Sequence, residues 1–434
     1  LNPLDQDRLR LVRWPWILAL LLLLGLGLLL ARLGGWEAQA KEWLGLGVRF
    51  FHVLYAIAWI GASFYFIFLE NSLERQGVRE ELSGNLWAIH GGGMYYLEKY
   101  KTAPKPLPKY LHWFKWDAYF TWITGFLLLV IVYYADPKTT LLSPESPLSA
   151  PMAVALGVLS LVLAWGVYVG LSRTVLLQNP GWFLLVGAVL VGLVAWGLGH
   201  VFSGRGTFIH VGAMLGTIMA GNVFFVIIPS QKALIRAAQS GQTLDPGFVS
   251  WVQLRSRHNN YLTLPVLFTM ISNHFPSTYA NGLGWLILLL LFGAGVAVRH
   301  FINVTEKEHH TTTQTGGAMP YLLVLAGALM LAAFYLSVPK NAPVAAQPVA
   351  FAQVQAVVYE RCASCHAARP TQAGFASAPA GVLLDSPERI MQFKDQIIQV
   401  AVNTQYMPLG NITGMKPEER ALLGAWYRAG AKGP

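Results

Sequence analysis

Charge is scarce along these 434 residues: only 12% are charged, with 21 acidic side chains against 31 lysines and arginines. A chain so poor in ionisable groups and 54% hydrophobic cannot keep most of its surface in water. That excludes an ordinary soluble globular protein. Cysteine is nearly absent too, and the two that occur exclude a disulfide framework and a four-cysteine zinc site. The net charge of +10 is spread over short basic clusters between apolar runs. Such spacing suits anionic lipid and argues against nucleic acid as a partner.

What is abundant is apolar sequence. Runs able to cross a bilayer occur at about 14–33, 47–70, 116–135, 152–171, 182–202, 208–229, 259–275, 281–301 and 319–338. The seventh is short and carries Pro265. The expected fold class is all-α: a polytopic helical membrane bundle of about nine spans over residues 1–338, then a small helical domain over 349–434. Between them, Pro339 to Pro348 is too proline-rich for a helix and reads as a linker. Lysine and arginine concentrate on alternate connections, so the positive-inside rule places the N-terminus in the cytoplasm. Nine crossings then leave the C-terminal domain outside.

The two cysteines fall in Cys362-Ala363-Ser364-Cys365-His366. Thiols at this spacing can bond both vinyl groups of one porphyrin, and the adjacent His366 is placed to ligate the iron, so one covalent haem c is expected. A sixth ligand should come from later in the domain. Met407, before Pro408 in a loop, is preferred; Met415 is a weaker choice and Met391 reads as core. His/Met ligation raises the reduction potential and suits an electron acceptor.

Two features of the membrane part stand out. His52, His200, His210 and His274 fall near the outer ends of four expected helices, a pattern that suits a b-type haem or a metal held by two or more of them. A weak repeat relates Phe50-Phe51-His52-Val53 to Phe208-Ile209-His210-Val211, and Tyr119-x-Thr121 to Tyr261-x-Thr263. It suggests two four-helix units after an initial helix. The second feature is the long inner connection, with His90-Gly91-Gly92-Gly93-Met94-Tyr95-Tyr96-Leu97-Glu98-Lys99 and then Leu111-His112-Trp113-Phe114-Lys115-Trp116-Asp117. Its glycines allow close backbone approach, and its aromatic and basic residues can stack on and neutralise a planar anion.

His52 through Glu70, Trp87-x-x-His90-Gly-Gly-Gly and Leu111-His-Trp-Phe-Lys-Trp-Asp117 resemble the bacterial membrane-bound urate hydroxylases. In that family a multi-helix urate oxidase N-terminal region precedes a cytochrome c domain, and the resemblance runs over the whole chain. Asp117 stands where the family usually has Glu, which shortens the reach of the carboxylate. The resemblance implies oxidation of urate to 5-hydroxyisourate in the bacterial inner membrane, with the cytochrome domain periplasmic. Electrons would pass through haem c to a cytochrome oxidase or a soluble cytochrome c, without hydrogen peroxide. From residue chemistry, His90, His112 and Asp117 are the expected proton-handling groups, and Gly91, Gly92, Tyr95, Lys99 and Trp116 the expected substrate contacts.

Two other classes share these features. A membrane cytochrome of b/c type that oxidises quinol would show the same histidines and the same haem motif. A transporter with a redox-sensing cytochrome domain would show broken helices near Pro265 and Gly221-Asn222.

Overall fold

The computed structural model describes residues 14–104, 106–174, 176, 179–242, 246–308, 320–338 and 349–434. The expected linker at 339–348 lies outside the described residues. The chain is mostly helical. Helices α1 (Trp14–Leu33) and α2 (Glu37–Asn71) lead to a hairpin, β1 (Leu82–His90) and β2 (Gly93–Tyr100). Helix α3 (Trp116–Leu129) runs on as a π-helical turn, Val130–Tyr134, and is followed by the short α4 (Pro137–Thr140). Then come α5 (Ala150–Leu171), α6 (Pro180–Leu198) and α7 (Gly204–Gly221). A second π-helical segment, Asn222–Ile227, joins α7 to α8 (Ile228–Ser240). Helices α9 (Pro246–Ser272), α10 (Gly284–Glu308) and α11 (Pro320–Ser337) complete the bundle.

Seven of the described helical segments are long and apolar enough to cross a membrane: Glu37–Asn71, Trp116–Tyr134, Ala150–Leu171, Pro180–Leu198, Gly204–Ser240, Gly284–Glu306 and Pro320–Ser337. Each matches an expected run. The expected seventh run, 259–275, falls in α9, which starts much earlier and carries Arg255 and Arg257 in its first half. Pro265 sits inside α9 without ending it. Glycine at 295 of α10 makes room there, since a Cβ would stand 3.3 Å from the Pro265 ring.

The all-α expectation needs one correction. Residues 82–100 form an antiparallel hairpin, with Trp87 opposite Tyr96 and His90 opposite Gly93. Gly91 and Gly92 both take positive φ, 58° and 78°, the left-handed backbone that a two-residue hairpin turn requires. Trp, Ile and Tyr on either side favour extended backbone, and Trp87 packs on Tyr96 with ring centroids 4.7 Å apart. Lys99 to Glu70 ties the hairpin to the end of α2, and Arg79 to Glu98 (2.6 Å) ties it to the connection that precedes β1.

Among the seven segments, Gly204–Ser240 is the most enclosed. Its small residues allow that. A Cβ at Gly212 would overlap Thr269 of α9, and one at Gly221 would overlap the Trp165 ring of α5. The core around it joins Tyr168, Phe208, Val211, Leu215, Met219, Leu288 and Phe292.

The C-terminal part is a small helical unit: α12 (Phe351–Arg361), α13 (Pro387–Gln392), α14 (Lys394–Ile397) continuing as a π-helical turn to Asn403, and α15 (Pro417–Arg428). Val354, Val358, Ile390, Leu423 and Trp426 are fully or almost fully buried in its own core. Its 404–411 loop rests on the bundle at the end remote from the hairpin. Arg205 donates to the Tyr406 hydroxyl at 3.3 Å, and Tyr406 meets Tyr279 edge-on at 5.8 Å. Gly410 abuts the backbone of Lys138 and Thr139.

Candidate functional site

Helix α12 ends at Cys362, where the chain turns tightly: His366 N–H donates to Cys362 O at 2.9 Å. Both cysteines are free thiols. Burial, and then the neighbouring Cys365, pushes the Cys362 thiol up to about 12, while Cys365 is raised less. The His366 ring is oriented by its own Nδ1, which donates to Val382 O at 3.0 Å, and among the described residues Nε2 makes no hydrogen bond. That is the arrangement a ligating histidine needs. Arg361 locks the motif in place, its guanidinium forking onto Glu419 at 2.9–3.2 Å and donating to Thr413 O at 2.7 Å.

The three methionines separate cleanly. Met415 is 3% exposed in the core, with its backbone N–H donating to Asn411 Oδ1 at 2.9 Å. Met391 packs against the same core. Met407 lies on the loop that faces the bundle, and its carbonyl accepts from Arg420 at 2.7 Å. Paired thiols, a His oriented through Nδ1 and a loop methionine fit a c-type haem.

Between this loop and the bundle lies a cavity of about 860 Å³ lined by His200, Arg205, Thr207, Tyr279, Tyr406 and Arg420 among others. Arg205 donates to Asn273 Oδ1 at 3.0 Å and lies over the Tyr133 ring at 5.3 Å. Burial raises the Tyr279 phenol.

The four expected bundle histidines divide. His52, on α2, places Nδ1 3.0 Å from Thr121 O and 3.1 Å from Thr124 Oγ1 of α3. His210, on α7, is fully buried, with Nδ1 donating to Gly206 O at 2.8 Å and Nε2 2.9 Å from the Tyr134 hydroxyl. Each ring faces a glycine of a neighbouring helix, Gly125 for His52 and Gly157 for His210. His200 is exposed at the end of α6, bonded to Trp196 O at 2.8 Å. His274 follows α9 in a turn. Among the described residues no three His, Cys, Asp or Glu side chains converge as a metal site.

At the opposite end, His90, Gly91 and Gly92 form the exposed hairpin tip, and Tyr95 is exposed beside them. Lys99 is engaged by Glu70. His112 packs edge-on against Phe114, and Trp116 lies 4.9 Å from the Lys115 ammonium. Asp117 sits in the first turn of α3. Among the described residues no hydrogen bond links His90, His112 and Asp117. Lys115 is buried, and desolvation together with the charge of Lys232 lowers its ammonium to about 8.

The block before α3 leads inward. Trp113, Ala118 and Tyr119 pack on Val223 and Ile227 of the π-helical segment that follows α7. There the bundle holds a polar seam that the reading of the sequence did not find. Asn222 donates to Asn259 Oδ1 at 2.9 Å and to the Tyr168 hydroxyl at 3.0 Å, and that hydroxyl lies 2.9 Å from His258 Nδ1. Asn260 Oδ1 accepts from Arg299 Nε at 2.9 Å and from Asn303 at 3.0 Å. Arg255 donates to Ser172 and lies 5.0 Å over the Tyr168 ring. The one sequence signal was the run Arg255-x-Arg257-His258-Asn259-Asn260 inside an otherwise helical pattern.

A family model described as urate oxidase N-terminal matches residues 38–335. The chain belongs to this family. No curated protein and no solved structure matches it. The urate oxidase N-terminal match covers nearly all of α2 through α11, with the hairpin and the polar seam, and it ends before the Cys-x-x-Cys-His turn. Membership ties the helical region to urate, and its apolar helices are those of a membrane-like protein.

Proposed function

We propose that this chain is a membrane-bound urate hydroxylase that converts urate to 5-hydroxyisourate and hands the electrons to a respiratory acceptor. The observation that carries the reading is the pairing of a urate oxidase N-terminal region with a Cys-x-x-Cys-His unit whose Met407 loop rests on the bundle. In the reaction the oxygen of water bonds to C5 of urate, two electrons leave the purine and two protons are released. A base near the substrate takes the proton of the attacking water. Asp117, His112 and His90 remain the proposed proton-handling groups, with Trp116, Tyr95, Lys99 and the Gly91-Gly92 turn near the substrate route.

A c-type haem held by Cys362, Cys365, His366 and Met407 would accept one electron at a time, passing each on to a cytochrome oxidase or a soluble cytochrome c. In the proposed topology about nine spans place the hairpin in the cytoplasm and residues 349–434 in the periplasm of a bacterial inner membrane. The hydrocarbon layer between them is about 30 Å thick, too far for one rapid electron step, so an intermediate carrier is needed. His52, held through Nδ1 by α3, and His210, whose Nε2 would have to leave the Tyr134 hydroxyl, are the proposed holders of a b-type haem.

The test is anaerobic addition of urate to purified, quinone-free protein. Reduction of the c-type haem, with two equivalents consumed per urate, is expected. Iron that stays ferric with urate but is reduced by a quinol would replace this reading with quinol oxidation.

A further inference from the structure

Eight buried side-chain nitrogen or oxygen atoms make no hydrogen bond among the described residues. Seven of them lie in the half of the bundle nearest the hairpin, in Ser72, Trp113, Asn222, Arg255, Asn260, Arg299 and Asn303. Arg255 and Arg299 are only 2% and 1% exposed. Among the described residues neither has a carboxylate at ion-pair distance. Glu306, two turns further along α10, accepts instead from Asn71 at 3.0 Å. Arg299 lies 3.9 Å over the Phe64 ring and feels Glu306 only beyond ion-pair distance, so two guanidinium ions packed among apolar helices have no carboxylate in contact, which is costly unless an anion enters.

The unused atoms also say which anion. Around Asn260, Arg299 Nη2 and Asn260 Nδ2 are donors, whereas Asn303 Oδ1 is an acceptor. A porphyrin carboxylate, which has no donor, would satisfy the donors and leave the Asn303 carbonyl oxygen bare. A purine trione monoanion presents C=O groups alternating with ring N–H groups around one plane, and so answers both kinds. We propose that the seam between α9 and α10, with Arg299, Asn260 and Asn303 as its core, is the urate-binding site. This rests on the reading of the chain as a urate hydroxylase, and it moves recognition inward from the exposed hairpin tip to the helices behind Trp113 and Ala118.

The experiment is equilibrium dialysis of radiolabelled urate against the full-length, detergent-solubilised protein after reduction with dithionite, because reduced protein binds without turning over. Arg299→Gln and Asn303→Asp should each weaken binding about 100-fold. Asn303→Asp also separates binding from folding. It supplies Arg299 with an internal carboxylate, so the melting temperature should hold or rise while urate is lost. Wild-type affinity in a folded Asn303→Asp protein would overturn the site. Loss of a b-type haemochrome signal in Arg299→Gln would overturn it too, by assigning the guanidinium to a cofactor carboxylate. Failure of the wild-type protein to bind urate at all would instead remove the hydroxylase reading.

Discussion

Gly410 offers a way to separate the two parts of the molecule without touching either site. Its φ is +59°, and a Cβ there would stand 2.9 Å from Thr139 O and 3.0 Å from Lys138 O. Alanine in left-handed backbone costs about 1 kcal/mol. The atoms it meets are backbone oxygens of α4, which cannot swing aside as a flexible side chain would, and overpacking of this kind adds about 1–3 kcal/mol. The loop carries the backbone cost docked or undocked, so Gly410→Ala should favour the undocked arrangement by the overpacking cost alone, about 1–3 kcal/mol, a factor of about 5 to 150. Amide hydrogen exchange at 139–142 and 409–411 should rise accordingly. Anaerobic reduction of the haem by urate should slow, whereas its reduction by dithionite should not. Unchanged exchange at both segments would refute the argument that Gly410 is needed for docking, and unchanged urate-driven reduction would refute the docked loop as the electron route.

Three further outcomes are expected. In haem-free protein at neutral pH, a thiol alkylating reagent should label Cys365 well before Cys362, because burial raises the Cys362 thiol to about 12; mass spectrometry of tryptic peptides reads the order. The Glu419 carboxyl is held below its ordinary range, chiefly by the hydrogen bond from Arg361, and Asp385 is held low by the Ala368 N–H and Arg389. Both therefore contribute stability that is present above the ordinary carboxylate range and lost as pH falls through their lower folded values. Thermal melts of wild-type and Glu419→Gln protein should differ at pH 7 and converge in acid. Met415→Ala should destabilise the C-terminal unit by about 2–5 kcal/mol and leave the haem potential unchanged, whereas Met407→Ala should lower that potential with little loss of stability. Redox titration and melting distinguish the two.

Much of the helical part was legible in the sequence, because a long apolar run has few other solutions. The hairpin was not. Its alternation is blurred by three consecutive glycines, and only the positive φ of two of them shows a turn rather than a ligand-hugging loop. Arg255 and Arg299 were hidden for a different reason. Cations near the ends of apolar runs count as markers of the membrane surface, and hydropathy does not say whether a helix continues past them. Here α9 begins nine residues before Arg255, so the charge falls inside the bundle. The buried asparagines gave no signal, since Asn carries neither charge nor periodicity. The two outlying histidines, His200 and His274, lie at helix ends, where depth along a run does not indicate which way a ring turns.

The wide turn at Asn222–Ile227 sets a limit on how this chain can change by insertion or deletion. A π-helical turn holds about one residue more than an α-helical turn, so removing one residue there would restore ordinary winding and leave α8 close to its present bearing. Gln231, Lys232 and Arg236 of α8 would then keep their faces and Ile235 would stay buried, whereas the same deletion within α7 would turn them by about 100°. Single-residue deletion should accordingly be tolerated within this segment and rejected in the α-helical turns on either side of it.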